Sequence, residues 1–282
     1  MLYILKNRRA KITVNDFGAE LTSAEVDGRE RLWQNSDGTW EGHAPLLFPV
    51  CGHFGCTVKG KTYPMPPHGF AKDFVFTLEK QTKTKLVFSL SSSAETEKFY
   101  PYRFKYCVEY RLCGKKLTVL HIVKNLDAAP LYFACGGHES FLLESSISDY
   151  KLVFPCTETF VHRPHNEDGY LTGARETLGV GNELILPDNY LKNDETVILE
   201  GLRSRKVSLC ETNGKKCADI TFTGFENLLL WRPKRANMIC IEPWSNLPDE
   251  EISNPKEFSR KNGVFEVKGQ KTKRLKRSIK YY

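Results

Sequence analysis

A large antiparallel β-sandwich is the fold class this sequence predicts. Period-2 alternation recurs along the chain, turn dipeptides separate the alternating runs, and helical periodicity is scarce. Strands that follow one another without intervening helices pair antiparallel, so a sandwich is expected in place of a βαβ fold.

From the N-terminus, Lys11–Val14 is the first strand read, and a hairpin turns at Asp27-Gly28, a dipeptide suited to a type I′ turn. Lys85–Leu90 is the next strand. Phe104, Tyr106, Val108, Tyr110 and Leu112 alternate with Lys105, Cys107, Glu109 and Arg111. Beyond Gly114 the alternation resumes at Leu117, Val119, His121 and Val123, which predicts a long hairpin with one buried face. Leu131–Cys135 and Lys151–Phe154 follow. The segment Glu158–Asn189 is polar and Gly-rich yet interspersed with Phe160, Tyr170, Leu171, Leu184 and Ile185, so a long covering loop is expected there. Thr196–Leu199 is a strand, Asn213-Gly214 another type I′ hairpin, and Leu228–Trp231 and Met238–Ile241 two more strands. Pro248–Phe258 is a short helix candidate and Val264–Val267 a strand. Leu275 and Ile279, set among charges and followed by Tyr281 and Tyr282, read as a terminal strand guarded by lysines against edge pairing.

No composition break, linker or fixed-period repeat divides the 282 residues, so residues 1–282 are read as one domain. The 17 Phe, 12 Tyr and 4 Trp supply a substantial core. The net charge of +7 is local: Lys268–Tyr282 holds seven of the 41 basic residues and no acid, leaving 34 against 34 elsewhere. A neutral body argues against a nucleic-acid partner. Nine scattered cysteines are an odd number in a chain too large to need stapling, which suits reduced thiols. Only a handful of apolar residues precede Lys6, and no run reaches the ~18 needed to span a bilayer. A cytoplasmic protein without a membrane partner is expected, as a monomer or homodimer.

Dinucleotide, phosphate-loop and nucleophile-elbow motifs are absent. Neither Cys51, His53 and Cys56 nor His162 and His165 have the paired partners of a metal site, so no metal is expected. Three segments set an ionisable group among turn residues or large aromatics. In Tyr63–Ala71 prolines and Gly69 hold His68; in Ala134–Phe141 two glycines precede His138; in Met238–Trp244 a carboxylate, Glu242, ends an apolar strand. Glutamate is rarely buried unless paired or functional. Two imidazoles and one strand-end carboxylate suit reversible proton transfer without a cofactor. Pro243 is expected to end the strand's hydrogen bonding, which would leave Trp244 at the sheet rim as a platform for a sugar ring.

HGFAKDFVF at His68–Phe76, GGHESF at Gly136–Phe141 and CIEPWSNLPD at Cys240–Asp249 occur in this order in an all-β chain. Together they resemble the aldose 1-epimerase (galactose mutarotase-like) family. The segments GAELTSAEVDGRERLWQ and HAPLLFPVCG are most similar to its LacX-like branch. The resemblance implies a β-sandwich with a sugar groove on one sheet and an isomerase that interconverts the anomers of a hexose or related sugar, with no cofactor. It implies Glu242 as general base on the anomeric hydroxyl, His138 as general acid at the ring oxygen, and His68 as a contact that binds sugar and stabilises the open chain. Asp194, in LKNDETVIL, resembles the carboxylate that binds sugar hydroxyls. Where mutarotases carry an arginine ahead of the first histidine, this chain has His53, Lys59 and Lys61, and His53 is the expected substrate contact. A non-catalytic sugar-binding protein and a hexose-phosphate 1-epimerase remain alternative readings.

Overall fold

The alternation at Phe104–Val123 builds the centre of the molecule. In the computed structural model, which describes residues 1–186, 191, 195–234, 236–250 and 256–282, strands Phe104–Cys113 and Lys116–Asn125 pair antiparallel over their whole length. Tyr106, Val108, Tyr110, Leu117, Val119 and Val123 are all buried, as one inward face requires. The hairpin belongs to a 15-stranded antiparallel sheet. Its path runs from Leu46–Leu47 through Gly136–Gly137, Met238–Trp244, Asn227–Trp231, Val197–Glu200 and Tyr150–His162. It continues through Lys206–Glu211, Lys216–Thr221, Thr272–Tyr281 and the central hairpin to Lys85–Ser91 and Thr77–Gln81. A separate four-stranded antiparallel sheet occupies residues 2–30.

The large sheet folds back on itself. Phe48 stacks on Tyr106 with ring centroids 4.2 Å apart, Phe141 lies against Tyr281, and Glu139 pairs with Arg277, so the two ends of the path face each other. The apolar faces thus enclosed form a core of Phe, Tyr, Leu, Ile and Val side chains. Among the described residues no helix is long and apolar enough to cross a membrane.

Four local expectations are corrected. Glu158–Asn189 is not a covering loop throughout, because Tyr150–His162 pairs with Glu176–Ile185 in a long hairpin. The second of these strands buries few side chains and so shows no alternation. The C-terminal strand Thr272–Tyr281 is not an edge: it lies between Lys116–Asn125 and Lys216–Thr221. Lys276 and Lys280 are exposed on the outward face while Leu275, Arg277, Ile279 and Tyr281 point inward. Asp27 and Gly28 both have positive φ, as a type I′ turn demands, but at Asn213-Gly214 only Gly214 does, in a longer loop closed by Glu211 and Lys215. Pro243 does not end its strand, which runs on to Trp244. For the helix expected at Pro248–Phe258, residues 251–255 lie outside the described residues, and a 3-10 turn occupies Phe258–Arg260.

Candidate active site

Strand register brings the two central groups together. Gly136 pairs with Trp244 and Glu139 with Ile241, a single register that sets His138 directly opposite Glu242. Pairing lapses between those points because Pro243 has no N–H to give to the Gly136–Gly137 side. Antiparallel neighbours project to the same face, and His138 Nε2 accordingly lies 3.3 Å from Glu242 Oε2. Trp244, two residues on and therefore on the same face, donates its indole N–H to Glu242 Oε2 at 3.1 Å.

The two glycines before His138 answer to packing on both sides of their strand. A Cβ on Gly136 would fall 2.8 Å from the Pro243 carbonyl oxygen, and one on Gly137 would fall 2.4 Å from the Arg277 guanidinium carbon. Beneath the strand Arg277 pairs with Glu139, both about 2% exposed at the side chain, and its Nε donates to His121 Nε2 at 3.1 Å. Tyr106 Oη completes this buried chain, 2.8 Å from His121 Nδ1.

His68 comes from a different part of the chain and is held by its backbone. Its N–H donates to the Gly52 carbonyl at 3.0 Å, and its own carbonyl accepts from Phe48 N–H at 3.2 Å. It adopts φ +66, an uncommon conformation for a residue with a side chain. Gly69, at φ +74, has no room for a Cβ, which would sit 2.1 Å from the Phe48 carbonyl oxygen. The Gly52 N–H donates to His68 Nδ1 at 3.2 Å, which leaves the proton on Nε2. Its ring meets those of Trp244 and His138 edge to face, at 5.2 and 5.6 Å.

These groups line a cavity of about 370 Å³ together with Trp40, Pro45, Leu47, Lys72, Thr196 and Trp231. The rings of Trp40 and Trp231 lie 5.3 and 5.6 Å from that of His138. Burial governs the ionisation of all three central residues. It pushes the Glu242 carboxyl well up, only partly opposed by the Trp244 hydrogen bond, and pushes the His138 imidazole down to about 4. Burial, with smaller effects from His138 and Lys72, pushes His68 down to about 3. His68 is therefore a neutral donor through Nε2, and burial favours the neutral forms of the facing pair.

Among the residues singled out by sequence, the structure gathers His68, His138, Glu242 and Trp244 around one cavity. His53 is not in that lining, and its ring instead lies 5.3 Å from Tyr170. Asp194 lies outside the described residues; Thr196, in the same segment, lines the cavity. Sequence reasoning missed Trp40, Trp231 and Lys72. Trp231 carried a usable signal, since it closes an apolar strand two residues before Pro233, whereas Trp40 stands in a stretch with no periodicity. A larger cavity of about 590 Å³, lined by Arg163, Glu200, Asn227 and Asn246 among others, holds none of the sequence-predicted groups.

Residues 1–266 match the family described as Aldose 1-epimerase. Protein LacX of Lactococcus lactis subsp. lactis is 32% identical over 260 residues, which cover 86% of this chain and 87% of that one. A galactose mutarotase related enzyme from Lactobacillus acidophilus is 29% identical, with a TM-score of 0.87 over 100% of this chain and 97% of that chain. A galactose mutarotase-like protein from Lactobacillus casei is 27% identical, with a TM-score of 0.92 and full coverage of both chains.

Proposed function

The chain belongs to the aldose 1-epimerase family, and from that premise we propose that it interconverts the anomers of an aldose by acid–base ring opening, with Glu242 and His138 as the proton-transfer pair. The observation that carries this reading is the 3.3 Å contact of His138 Nε2 with Glu242 Oε2 in a cavity of sugar size.

The pair holds one proton throughout. Moving it from Glu242 to His138 gives a carboxylate base and an imidazolium acid. The base takes the proton of the C1 hydroxyl as the acid protonates the ring oxygen, and the C1–O5 bond breaks to leave an aldehyde. Both groups are then neutral again, the state that burial favours. Burial thus favours the form the pair reaches with the open chain, and sugar oxygens help to solvate the charged form. Rotation about C1–C2 and the reverse transfers close the ring as the other anomer. His68 Nε2–H donates to a sugar oxygen, and the face of Trp244 packs on the pyranose while its indole N–H steadies the carboxylate. Ring opening and closure pair C1–O5 cleavage with proton transfer and change no oxidation state, so the reaction needs no cofactor.

Glu242→Gln and His138→Asn test the assignment. Each is expected to lower anomer exchange by about 10²–10⁴-fold while circular dichroism stays that of the parent. Full activity in either folded variant would remove that residue from the mechanism.

A further inference from the structure

Cys240 is a buried free thiol that the proton-transfer reading leaves without a task. It stands two residues before Glu242 on one strand, so the two side chains share a face, and His138 faces them from the neighbouring strand. The ligand atoms of His138, Cys240 and Glu242 all lie within 4.8 Å of one another, and all three residues are buried.

We propose that His138, Cys240 and Glu242 form a binding site for a zinc-class divalent cation, and that the seated ion blocks the proton-transfer pair. The blocking half rests on the function proposed above; the binding half stands on the geometry alone. Bonds of about 2.1 Å in a tetrahedral site set neighbouring ligand atoms about 3.4 Å apart. The 3.3 Å between His138 Nε2 and Glu242 Oε2 meets that spacing. A thiolate, an imidazole and one carboxylate suit zinc, or cobalt in its place, and do not suit magnesium or calcium, which take oxygen ligands. One thiolate and one carboxylate cancel the charge of a divalent ion, leaving a neutral centre where an unpaired charge would be costly. The Trp244 indole N–H already orients the carboxylate, as outer partners of metal ligands do. The adjoining cavity leaves the fourth position open to water.

Binding takes Cys240 as the thiolate and so releases its proton, and the ion is held more tightly as pH rises. With the Nε2 and carboxylate lone pairs engaged by the ion, neither group can exchange a proton with a sugar. The Cys51, His53 and Cys56 set considered in the sequence is not the one that converges.

Chelator-stripped full-length protein titrated with Co²⁺ tests the binding half. One equivalent should bind per chain, with tetrahedral d–d bands and a thiolate-to-cobalt charge-transfer band. Cys240→Ser should abolish the charge-transfer band and weaken Zn²⁺ binding on the order of tenfold or more, the scale lost when even an outer partner of a ligand is removed. If that variant does not fold, His138→Asn should keep the charge-transfer band while binding weakens. Cobalt bound without thiolate absorption, or bound equally well by Cys240→Ser, would overturn the site. Zn²⁺ should also stop anomer exchange of the metal-free enzyme, reversibly with chelator, and exchange that needs zinc would overturn the blocking role. Metal binding as described with no anomer exchange in any state keeps the site and removes the proposed function; exchange without metal binding does the reverse.

Discussion

Glu242 acquires its chemistry from its neighbours: a carboxyl pushed up by burial, an indole N–H on Oε2, and an imidazole nitrogen 3.3 Å away. A hydrogen bond to a charged group is worth ~1.5–3 kcal/mol. Trp244→Phe keeps an aromatic face but deletes that donor, and kcat is expected to fall by about 10-fold or more with sugar affinity also reduced. Near-normal kcat with a lowered melting point would make Trp244 a plug of the sandwich and nothing more. At this scale Glu242 was legible because a carboxylate closing an apolar strand asks for a reason, and His68 and His138 because glycines and prolines fix them. Lys72, Cys240 and Trp40 were not legible. Lys72 reaches the cavity from the short 3-10 turn Ala71–Asp73 and Trp40 from an irregular segment, and Cys240 is indistinguishable in sequence from an ordinary core thiol.

At the scale of elements, the pair depends on a strand squeezed between Pro243 and Arg277. Gly137→Ala would drive a methyl group into a guanidinium fixed by Glu139 and His121, and overpacking of this kind costs ~1–3 kcal/mol. Denaturant unfolding should show that loss together with reduced anomer exchange, as the strand carrying His138 shifts. Unchanged stability would mean that Arg277 has room to move. The central hairpin and most strands could be read because one face is apolar and the other polar. The Glu176–Ile185 strand could not, since it is half exposed on both faces, and the C-terminal strand was misplaced because outward lysines suit an open face as well as an edge. Arg277 itself looked like one more surface cation; only the fold shows it inside.

For the whole molecule, the folding back of one sheet draws residues 68, 138 and 242 to one place, a juxtaposition no spacing in the chain reveals. The fold also ties in its C-terminus electrostatically. Asp219 accepts from Ser208 Oγ at 2.5 Å and Tyr282 Oη at 3.0 Å and pairs with Lys206 and Lys216. Burial raises its pKa, yet these partners outweigh it and hold the carboxyl well below the usual carboxylate range. A depressed pKa stabilises the folded state fully above the unfolded value near 3.8 and progressively less as pH falls through it. Asp219→Asn should therefore lower stability at pH 7 and lessen its acid dependence, read as melting temperature against pH. The most direct test of the central claim is anomer exchange itself, followed by NMR for a panel of free and phosphorylated aldoses with metal-free protein. Exchange of at least one aldose well above its spontaneous rate is expected, and its loss in Glu242→Gln. Saturable sugar binding by folded protein with no acceleration for any aldose would contradict it.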